Sequence, residues 1–521
     1  VINKKKYDQI KYISMSHLNY LITNDFDSYL NHLRIKSQDL QLLPKRIAFS
    51  WYRDDKGQDK HHNEFSFGIA MQNRVEYVIA NIIKYYFTFK KLSEEYDLIV
   101  IPVNTHDHLK SIFECFDNSV TISNIKSNDM DSLNHILEHL GRISNYPIKK
   151  LSPVLFNLQK ILKLIKKNKI LVFSDWTYEH YRNNNYLYQN SKNIFNGFYT
   201  ANQTNRISKF LNKYPQEIII NNASLHKLSN YHLKNDDKEN LDYLFNNAIK
   251  IEYHKSIKTL CKCYLVINEI FNNYSPKEFV CATINHHWHT IMAEIARKKN
   301  IRSSVVLDGY APFLDELYYP KDSYDKYLFD NYTFTGSLAR DLSESLYPEI
   351  KGDLIRFPIS DLITKNNFKF QKKYDAMIIA AYPHYGNPNS HYDQRIKYIL
   401  EIVKILKNNN LKKLAIKIKN TNKIDLQIER DYINKVLNKY NLTDIDICSG
   451  NLFSYFSKTS CIIGQAATAL VESNIAKIPY YIYEPEYIGL RNIDIERSIF
   501  KDIPYSLSTK QLEENLSKKK H

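Results

Sequence analysis

The chain lacks the features that mark secreted and membrane-spanning proteins. Its 521 residues contain no uninterrupted apolar run of about 18 side chains, and residues 1–15 lack the apolar core of a signal peptide. The six cysteines are too scattered for a disulfide framework, and no second pair at ligand spacing accompanies Cys261 and Cys263. We therefore expect reduced thiols in a cytoplasmic protein, at most peripheral on the inner face of the cytoplasmic membrane.

The chain also lacks the marks of nucleic-acid-binding proteins. Its formal net charge of +16 suits an anionic partner, but the lysines are interleaved with acidic residues along the whole sequence. There is no arginine-rich arm, RNP-type aromatic motif or zinc-finger spacing. An anionic membrane surface is thus a better match for this charge than nucleic acid. Glycine is scarce (11) beside 41 tyrosines, a bias that an AT-rich coding genome explains better than a function does.

What is present is the composition of a globular protein with a repeating α/β pattern. Hydrophobic residues make up 43% of the chain and charged residues 25%, and the length suits two domains. Apolar runs such as residues 98–103 and 169–174 alternate with amphipathic helical segments, which predicts parallel sheets covered by helices. A strand is also predicted at 45–51. Pro320 and the charged run around it predict a boundary, which divides the chain into domains 1–325 and 326–521.

One stretch, from Cys461 to Pro485, predicts a β-α-β unit that opens at Gly464. A glycine permits a sharp turn and close approach of a ligand, and the amino end of the following helix favours an anion. Gln465 and Thr468 add side-chain donors, and Glu472, one helical turn after Thr468, could accept hydrogen bonds from ribose hydroxyls. Phosphate and ribose together indicate a nucleotide. Alternatively, the unit serves packing alone and Glu472 is a solvated helix charge.

A second stretch brings histidines and a carboxylate to the ends of two predicted neighbouring strands. His286, His287 and His289 follow one strand, and Asp308 follows the next. Sites in open α/β sheets form at such ends, so Asp308, His286 or His287 is a candidate general base for an acceptor hydroxyl. A metal site is disfavoured because neighbours in sequence rarely point at one ion. Asp308 could instead cap the turn before Gly309.

An earlier loop at 52–64 offers another polar set after the strand predicted at 45–51. It contains Asp54, Asp55, His61 and His62, which could contact an acceptor or simply form a solvated loop.

Residues 279–490 resemble bacterial glycosyltransferases of the GT-B architecture. The resemblance lies in the loop at Tyr382-Pro383-His384, in Lys417-Ile418-Lys419, in Thr468-x-x-x-Glu472 and in Ile478-Pro479-Tyr480. Capsule and lipopolysaccharide transferases that use CMP-Kdo or CMP-sialic acids carry similar motifs, and CDP-glycerol polymerases share the plan. Leu307-Asp308-Gly309 is similar to the acidic-acidic-Gly motif of sialyltransferases. The chain departs from the family at Lys419-Asn420, where His-Pro is usual, at Ala467-Thr468, where two hydroxyl residues are usual, and at Leu307.

The resemblance implies an α/β fold of two Rossmann-like domains that face each other across a cleft. It implies transfer of a sugar from a nucleotide-activated donor, with a CMP-sugar favoured, to a glycan or lipid-linked glycan acceptor. By resemblance the catalytic residues are Asp308, His286 and His287, and those that bind the donor are His384, Lys417, Lys419, Gly464, Gln465, Ala467, Thr468 and Glu472. No metal or cofactor is implied. A CDP-alditol phosphotransferase and a non-catalytic glycan- or nucleotide-binding homologue are the alternatives.

Overall fold

The computed structural model describes part of the chain. The described residues are, apart from isolated positions, 37–122 with short gaps, 170–174, 192–195, 233–281 without 275, 287–307, 329–335, 352–355, 371–379, 392–418, 423–485 without 451, and 503–518. The amphipathic segments predicted at 133–140 and 151–166 lie outside them.

The first half of the chain contributes a six-stranded parallel sheet and a separate parallel pair. The pair is β1 (Ile99–Pro102) and β2 (Ser119–Ile122). The sheet contains β3 (Ile170–Ser174), β4 (Lys192–Phe195), β5 (Glu278–Cys281), β6 (Arg302–Leu307), β7 (Asn331–Thr335) and β8 (Gly352–Ile355). Their order is β4-β3-β5-β6-β7-β8, with every neighbouring pair parallel. The chain thus starts inside the sheet and builds outwards in both directions.

Helices surround this first half. They are α1 (Ser37–Ser50), α2 (Phe67–Glu95), α3 (Asp107–Phe113), α4 (Asn235–Tyr274) and α5 (His287–Lys298). The prediction of a strand at 45–51 is wrong, because these residues lie in α1 and the turn that follows it. Ile47, Ala48 and Phe49 are all buried there. A short apolar run buried on every side has no period that separates a strand from a helix.

The second half forms its own six-stranded parallel sheet. Its strands are β9 (Ala376–Ile379), β10 (Leu414–Lys417), β11 (Asp446–Cys448), β12 (Ile462–Gly464), β13 (Tyr480–Tyr483) and β14 (Tyr505–Ser506). Their order is β11-β10-β9-β12-β13-β14, all parallel. Numbered along the chain within the sheet, this is 3-2-1-4-5-6, the order of doubly wound nucleotide-binding folds.

Both faces of the second sheet are covered by helices. Successive residues of a strand point to opposite faces, so strands that are apolar throughout need a packing partner on each face. The helices are α6 (Tyr392–Asn408), α7 (Lys423–Lys439), α8 (Phe453–Phe456), α9 (Thr468–Ile475) and α10 (Thr509–Lys518). Ile378, Ile416 and Ile463 pack with α6, α7 and α10 in one core. Met377, Ala415 and Ile462 pack with α8 and α9 in the other. The predicted α/β class with two Rossmann-like sheets is therefore confirmed.

The chain changes sheets later than the boundary predicted at 325. Strands β7 and β8 both follow that point, yet they pair with each other and, through β7, with β6 of the first sheet. Among the described residues, backbone hydrogen bonds to the second half begin at Gln371, whose N–H donates to Ser457 O, after α8, at 2.7 Å. The change therefore falls between Ile355 and Gln371. Pro320 and the charges near it mark a connection within the first half, and sequence does not show which sheet a following strand joins.

Candidate functional site

The candidate site lies at the carboxyl edge of the second sheet, where the strand order reverses. The chain runs from β9 outwards to β11 on one side, then returns to place β12 on the other side of β9. Register aligns Lys417 of β10 and Gly464 of β12 with the same residue, Ile379 of β9. With strands about 4.8 Å apart, Lys417 and Gly464 stand about 10 Å from each other. Open α/β sheets bind their ligands outside such a reversal.

Gly464 is required by its neighbour on β13. A Cβ at this position would overlap the Tyr480 hydroxyl and would lie 3.2 Å from Tyr480 Cζ and 3.3 Å from Ile379 Cβ. The sequence suggested that this glycine serves a turn or a ligand. In the structure the absent side chain leaves room for the phenol of Tyr480, which is itself 5% exposed.

The peptide unit between Gln465 and Ala466, one residue after Gly464, is held on both sides. Tyr480 Oη donates to the carbonyl of Gln465 at 2.7 Å, and the N–H of Ala466, in the same peptide unit, donates to Glu484 Oε1 at 2.7 Å. The side-chain amide of Gln465 donates to Glu484 Oε2 at 3.2 Å. Gln465 is 8% exposed and Glu484 5%. The amide that the sequence assigned to a phosphate thus already has a partner inside the protein.

Glu484 is the residue that sequence reasoning missed. It directly follows the fully buried strand β13, and its own N–H donates to Ser506 O of β14 at 2.9 Å. The signal was available, since a carboxylate at the end of an apolar strand, beside Pro485, falls at the edge where α/β sheets place polar residues. The side chain of Glu484 reaches the loop after β12 because β12 and β13 are neighbours in the sheet.

Helix α9 begins directly after this loop. Its N-cap, Ala467, has an extended backbone and supplies no side-chain hydrogen bond to the first turn. In this first turn the N–H of Leu470 donates to the carbonyl of Ala467 at 2.8 Å. The start of a helix favours an anion in general. Thr468 is the first residue of the helix, and Glu472, half-buried, comes one turn later. Ala467, Thr468 and Glu472 therefore lie at the N-cap and in the first turns of α9, and their role in binding a donor stays a prediction.

Lys417 ends β10 at the same edge. It is only 8% exposed, and its ammonium donates to the carbonyl of Ile418 at 2.8 Å. The ammonium group has three N–H donors, and a buried charge of this kind is an unusual residue for the end of a parallel strand. Two further residues predicted to bind the donor, His384 and Lys419, follow β9 and β10 in sequence but lie outside the described residues.

The predicted catalytic residues belong to the first sheet. Strands β5 and β6 are parallel neighbours, with Cys281 paired to Val305, as the sequence predicted. His287 is the first residue of α5. His286 and Asp308 lie outside the described residues. Among the residues that are described, no group of three or more His, Cys, Asp or Glu side chains is placed to hold a metal ion.

The loop at 52–64 leads towards helix α5. Glu294 of α5, 8% exposed, accepts from the N–H of Ser66 at 2.9 Å, and Ser66 caps α2 by accepting from the N–H of Ile69 at 3.0 Å. Asp54 accepts from the N–H of Lys56 at 2.9 Å in an exposed turn. Asp55, His61 and His62 lie outside the described residues. The described part of the loop is thus a turn followed by an anchored helix start.

Comparisons with known proteins give only distant likenesses. No protein-family model matches the chain, and no curated protein does. Among solved structures, the chain is similar to UDP-GlcNAc 2-epimerase from Neisseria meningitidis bound to UDP-GlcNAc, with 11% identity, a TM-score of 0.37, and coverage of 67% of this chain and 90% of that one.

Two further solved structures show likenesses of the same size. UDP-GlcNAc 2-epimerase from Methanocaldococcus jannaschii shares 12% identity with this chain at a TM-score of 0.37, and the match covers 67% of this chain and 92% of that one. MurG from Acinetobacter baumannii shares 9% identity at a TM-score of 0.35, and the match covers 68% of this chain and 91% of that one.

None of the described helices is both long and apolar enough to cross a membrane.

Proposed function

We propose that the protein is a glycosyltransferase that moves a sugar from a nucleotide-activated donor, with a CMP-sugar favoured, to a bacterial surface polysaccharide or lipopolysaccharide acceptor. The observation that carries the proposal is the reversal of strand order between β9 and β12, with the loop at Gly464 and the start of α9 beside it. That is where a doubly wound sheet binds a nucleotide. The motifs of residues 279–490 add the sugar-transfer chemistry by resemblance.

In this proposal the donor lies on the second sheet. Its phosphate faces the first N–H groups of α9, at Ala467 and Thr468, where the helix dipole favours an anion. Glu472, one turn further along, accepts hydrogen bonds from ribose hydroxyls. Lys417 places positive charge at the adjoining strand end, and the resemblance adds Lys419 and His384 to the residues that bind the donor. The sequence predicts that Gln465 donates to the phosphate. In this proposal its side-chain amide donates to Glu484 instead.

The chemistry then needs one proton transfer and one displacement. Asp308, or His286 or His287, takes the proton from an acceptor hydroxyl. The acceptor oxygen forms a bond to the anomeric carbon as the bond to the donor phosphate breaks, and the nucleotide leaves with the electron pair. The lysines and the start of α9 stabilise the charge that develops on the leaving phosphate. The net charge of +16 favours work beside an anionic membrane surface, where lipid-linked acceptors lie.

The first test is nucleotide binding. The unfolding midpoint of the protein is measured with CMP, CDP, UDP, GDP and ADP, for the parent, for Glu472→Ala and for Glu514→Ala, which changes an exposed glutamate of α10. A specific ligand at 100 times its Kd adds about 2.7 kcal/mol of stability. We expect nucleotides of one base type to stabilise the parent and the Glu514→Ala variant, but not the Glu472→Ala variant. If no nucleotide stabilises the parent, the donor site is refuted.

The second test separates an enzyme from a binding protein. Asp308→Asn should abolish sugar transfer, by at least about 100-fold if Asp308 is the general base, while the nucleotide still stabilises the variant. Transfer is measured as release of free nucleotide from the donor in the presence of acceptor glycan. Turnover of CDP-glycerol but of no nucleotide sugar would select the phosphotransferase alternative. Nucleotide binding without any turnover would select the binding homologue.

A further inference from the structure

The long helix α4 carries a row of basic side chains along its solvent side. The helix spans 40 residues. Between Leu244 and Phe271, the exposed members among its described side chains are Lys250, His254, Lys258 and Lys262. Each is four residues after the one before, so the four share one side of the helix over about 18 Å. We call these four residues the α4 row.

The charge of the α4 row is not balanced by acidic neighbours on the same part of the helix. Glu252 is 1% exposed and bonds to Arg74 on the buried side, and Glu269 is partly buried. Lys255, beside the row, pairs with Asp107 of α3 at 2.8 Å. No member of the row has an ion-pair partner among the described residues. The row therefore presents positive charge to whatever lies outside this face.

The stability of the helix does not account for this arrangement. Lys258 lies three residues after Lys255 and four before Lys262, and like charges at these spacings repel each other. Cations are favoured in the last turn of a helix, but the row ends three turns before Tyr274. The exposed acids of the helix, Asp236 and Glu239, lie near its start instead. The two signs of charge are thus sorted along α4, and the row stands apart.

We propose that the α4 row docks the first half of the protein on an anionic lipid surface. A flat layer of negative charge can meet all members of a straight row at once, and each lysine near such a surface adds to the affinity. An ammonium is a point charge that suits lipid phosphates without a fixed geometry. The row has no arginine and no Phe, Tyr or Trp, which surfaces that bind nucleic acid use to contact and stack on bases.

This inference goes beyond the proposed function and does not depend on it, because docking on lipid requires no nucleotide. The experiment measures the partition of the full chain onto vesicles by co-sedimentation. Vesicles of phosphatidylcholine alone are compared with vesicles that contain about one third phosphatidylglycerol, at low and at high salt.

The test variant carries Lys250→Gln, Lys258→Gln and Lys262→Gln together. The matched control carries Lys404→Gln, Lys412→Gln and Lys435→Gln, which change three exposed lysines of the second half. Both variants lose the same net charge. They therefore separate a dedicated surface from a general effect of the charge of +16.

We expect the parent to bind the anionic vesicles and not the neutral ones, and to be released at high salt. The row variant should lower the partition coefficient about 100-fold, because each lysine at an anionic surface contributes about fivefold. The control should stay within about threefold of the parent, since charges beyond the Debye length are screened. Both variants should keep the unfolding midpoint of the parent, because all six sites are exposed.

Three results would overturn the proposal. The parent could fail to bind anionic vesicles. The two variants could lose binding equally, which would assign it to net charge and not to the α4 row. With a single-stranded oligonucleotide in place of vesicles, the row variant could lose binding while it keeps its affinity for lipid, which would make the row a nucleic-acid surface. Stabilisation by nucleotides tests the donor site separately, so either conclusion can fail while the other stands.

Discussion

At Gly464 the phenol of Tyr480, on the neighbouring strand β13, occupies the space that a side chain would need. The Tyr480 phenol fills the space beside the glycine and donates to the carbonyl of the next residue at 2.7 Å. The glycine and the tyrosine therefore form one packing unit that shapes the loop before α9. In the proposed donor site, this unit shapes the loop that positions Ala466, Ala467 and Thr468.

Gly464→Ala should destabilise the second half by about 1–3 kcal/mol, since an added methyl in a filled space forces its neighbours apart. Tyr480→Phe removes the hydroxyl that the methyl would overlap, so the double variant should recover part of the loss and the two changes should not add. The measurement is the unfolding midpoint of the parent and the three variants. Additive effects would show that the overlap is relieved elsewhere.

At the scale of elements, three helices of the first half meet at one buried carboxylate. Glu252 of α4 is 1% exposed, accepts from Arg74 Nε of α2, and is hydrogen-bonded to His108 Nε2 of α3 at 2.8 Å. Burial by itself would raise the pKa of Glu252. The hydrogen bonds and charges of His108 and Arg74 outweigh burial and lower the pKa to about 2. The ionised carboxylate therefore joins α2, α3 and α4.

Glu252→Gln should lower the stability of the first half by about 3 kcal/mol at pH 7, because it removes a buried negative charge that pairs with the partly buried guanidinium of Arg74. The folded pKa lies below the ordinary value of 4.5, so this contribution is complete above about pH 4.5 and is lost as pH falls towards 2. Unfolding midpoints are compared from pH 7 to pH 2. The difference in unfolding midpoint between the parent and Glu252→Gln should shrink in the acid range. The control Glu239→Gln, at an exposed site on α4, should have the same midpoint as the parent at each pH. A constant gap between parent and Glu252→Gln at all pH values would contradict the assignment.

At the scale of the whole molecule, the two sheets have separate cores. The first core runs from Leu43 to Phe334 and contains Phe279, and the cores of the second sheet lie between Tyr374 and Leu516 and contain Ile463.

Large-to-small changes in such cores cost about 2–5 kcal/mol. In calorimetry, Phe279→Ala should lower the temperature of one unfolding transition, and Ile463→Ala should lower the temperature of another. A stabilising nucleotide should raise the temperature of the transition that Ile463→Ala lowers. A single common transition that both variants lower would show that the halves unfold as one unit.

The sequence by itself determined the second half closely. Short, mostly apolar runs that alternate with amphipathic helices, as at Leu414–Lys417 and Tyr480–Tyr483, indicate covered parallel strands by their length and spacing, since their period does not separate a strand from a helix. The β-α-β unit at Gly464 followed from the same pattern. In the first half the local signal was weaker. Buried helices such as α1 and the apolar run of Tyr264 to Ile267 within α4 carry apolar residues on most sides and so resemble strands.

Tertiary structure alone decided which residues meet. Strand order is set by packing between segments far apart in sequence, and it placed β12 beside β9 and β13, so that Tyr480 reaches Gly464 and Glu484 reaches Ala466. It also joined β7 and β8 to the first sheet beyond the boundary predicted at 325. Residue types and spacing specify the chemistry that each segment can perform. The neighbours that direct that chemistry depend on which strands pair, and pairings such as that of β12 with β9 join segments far apart in the chain.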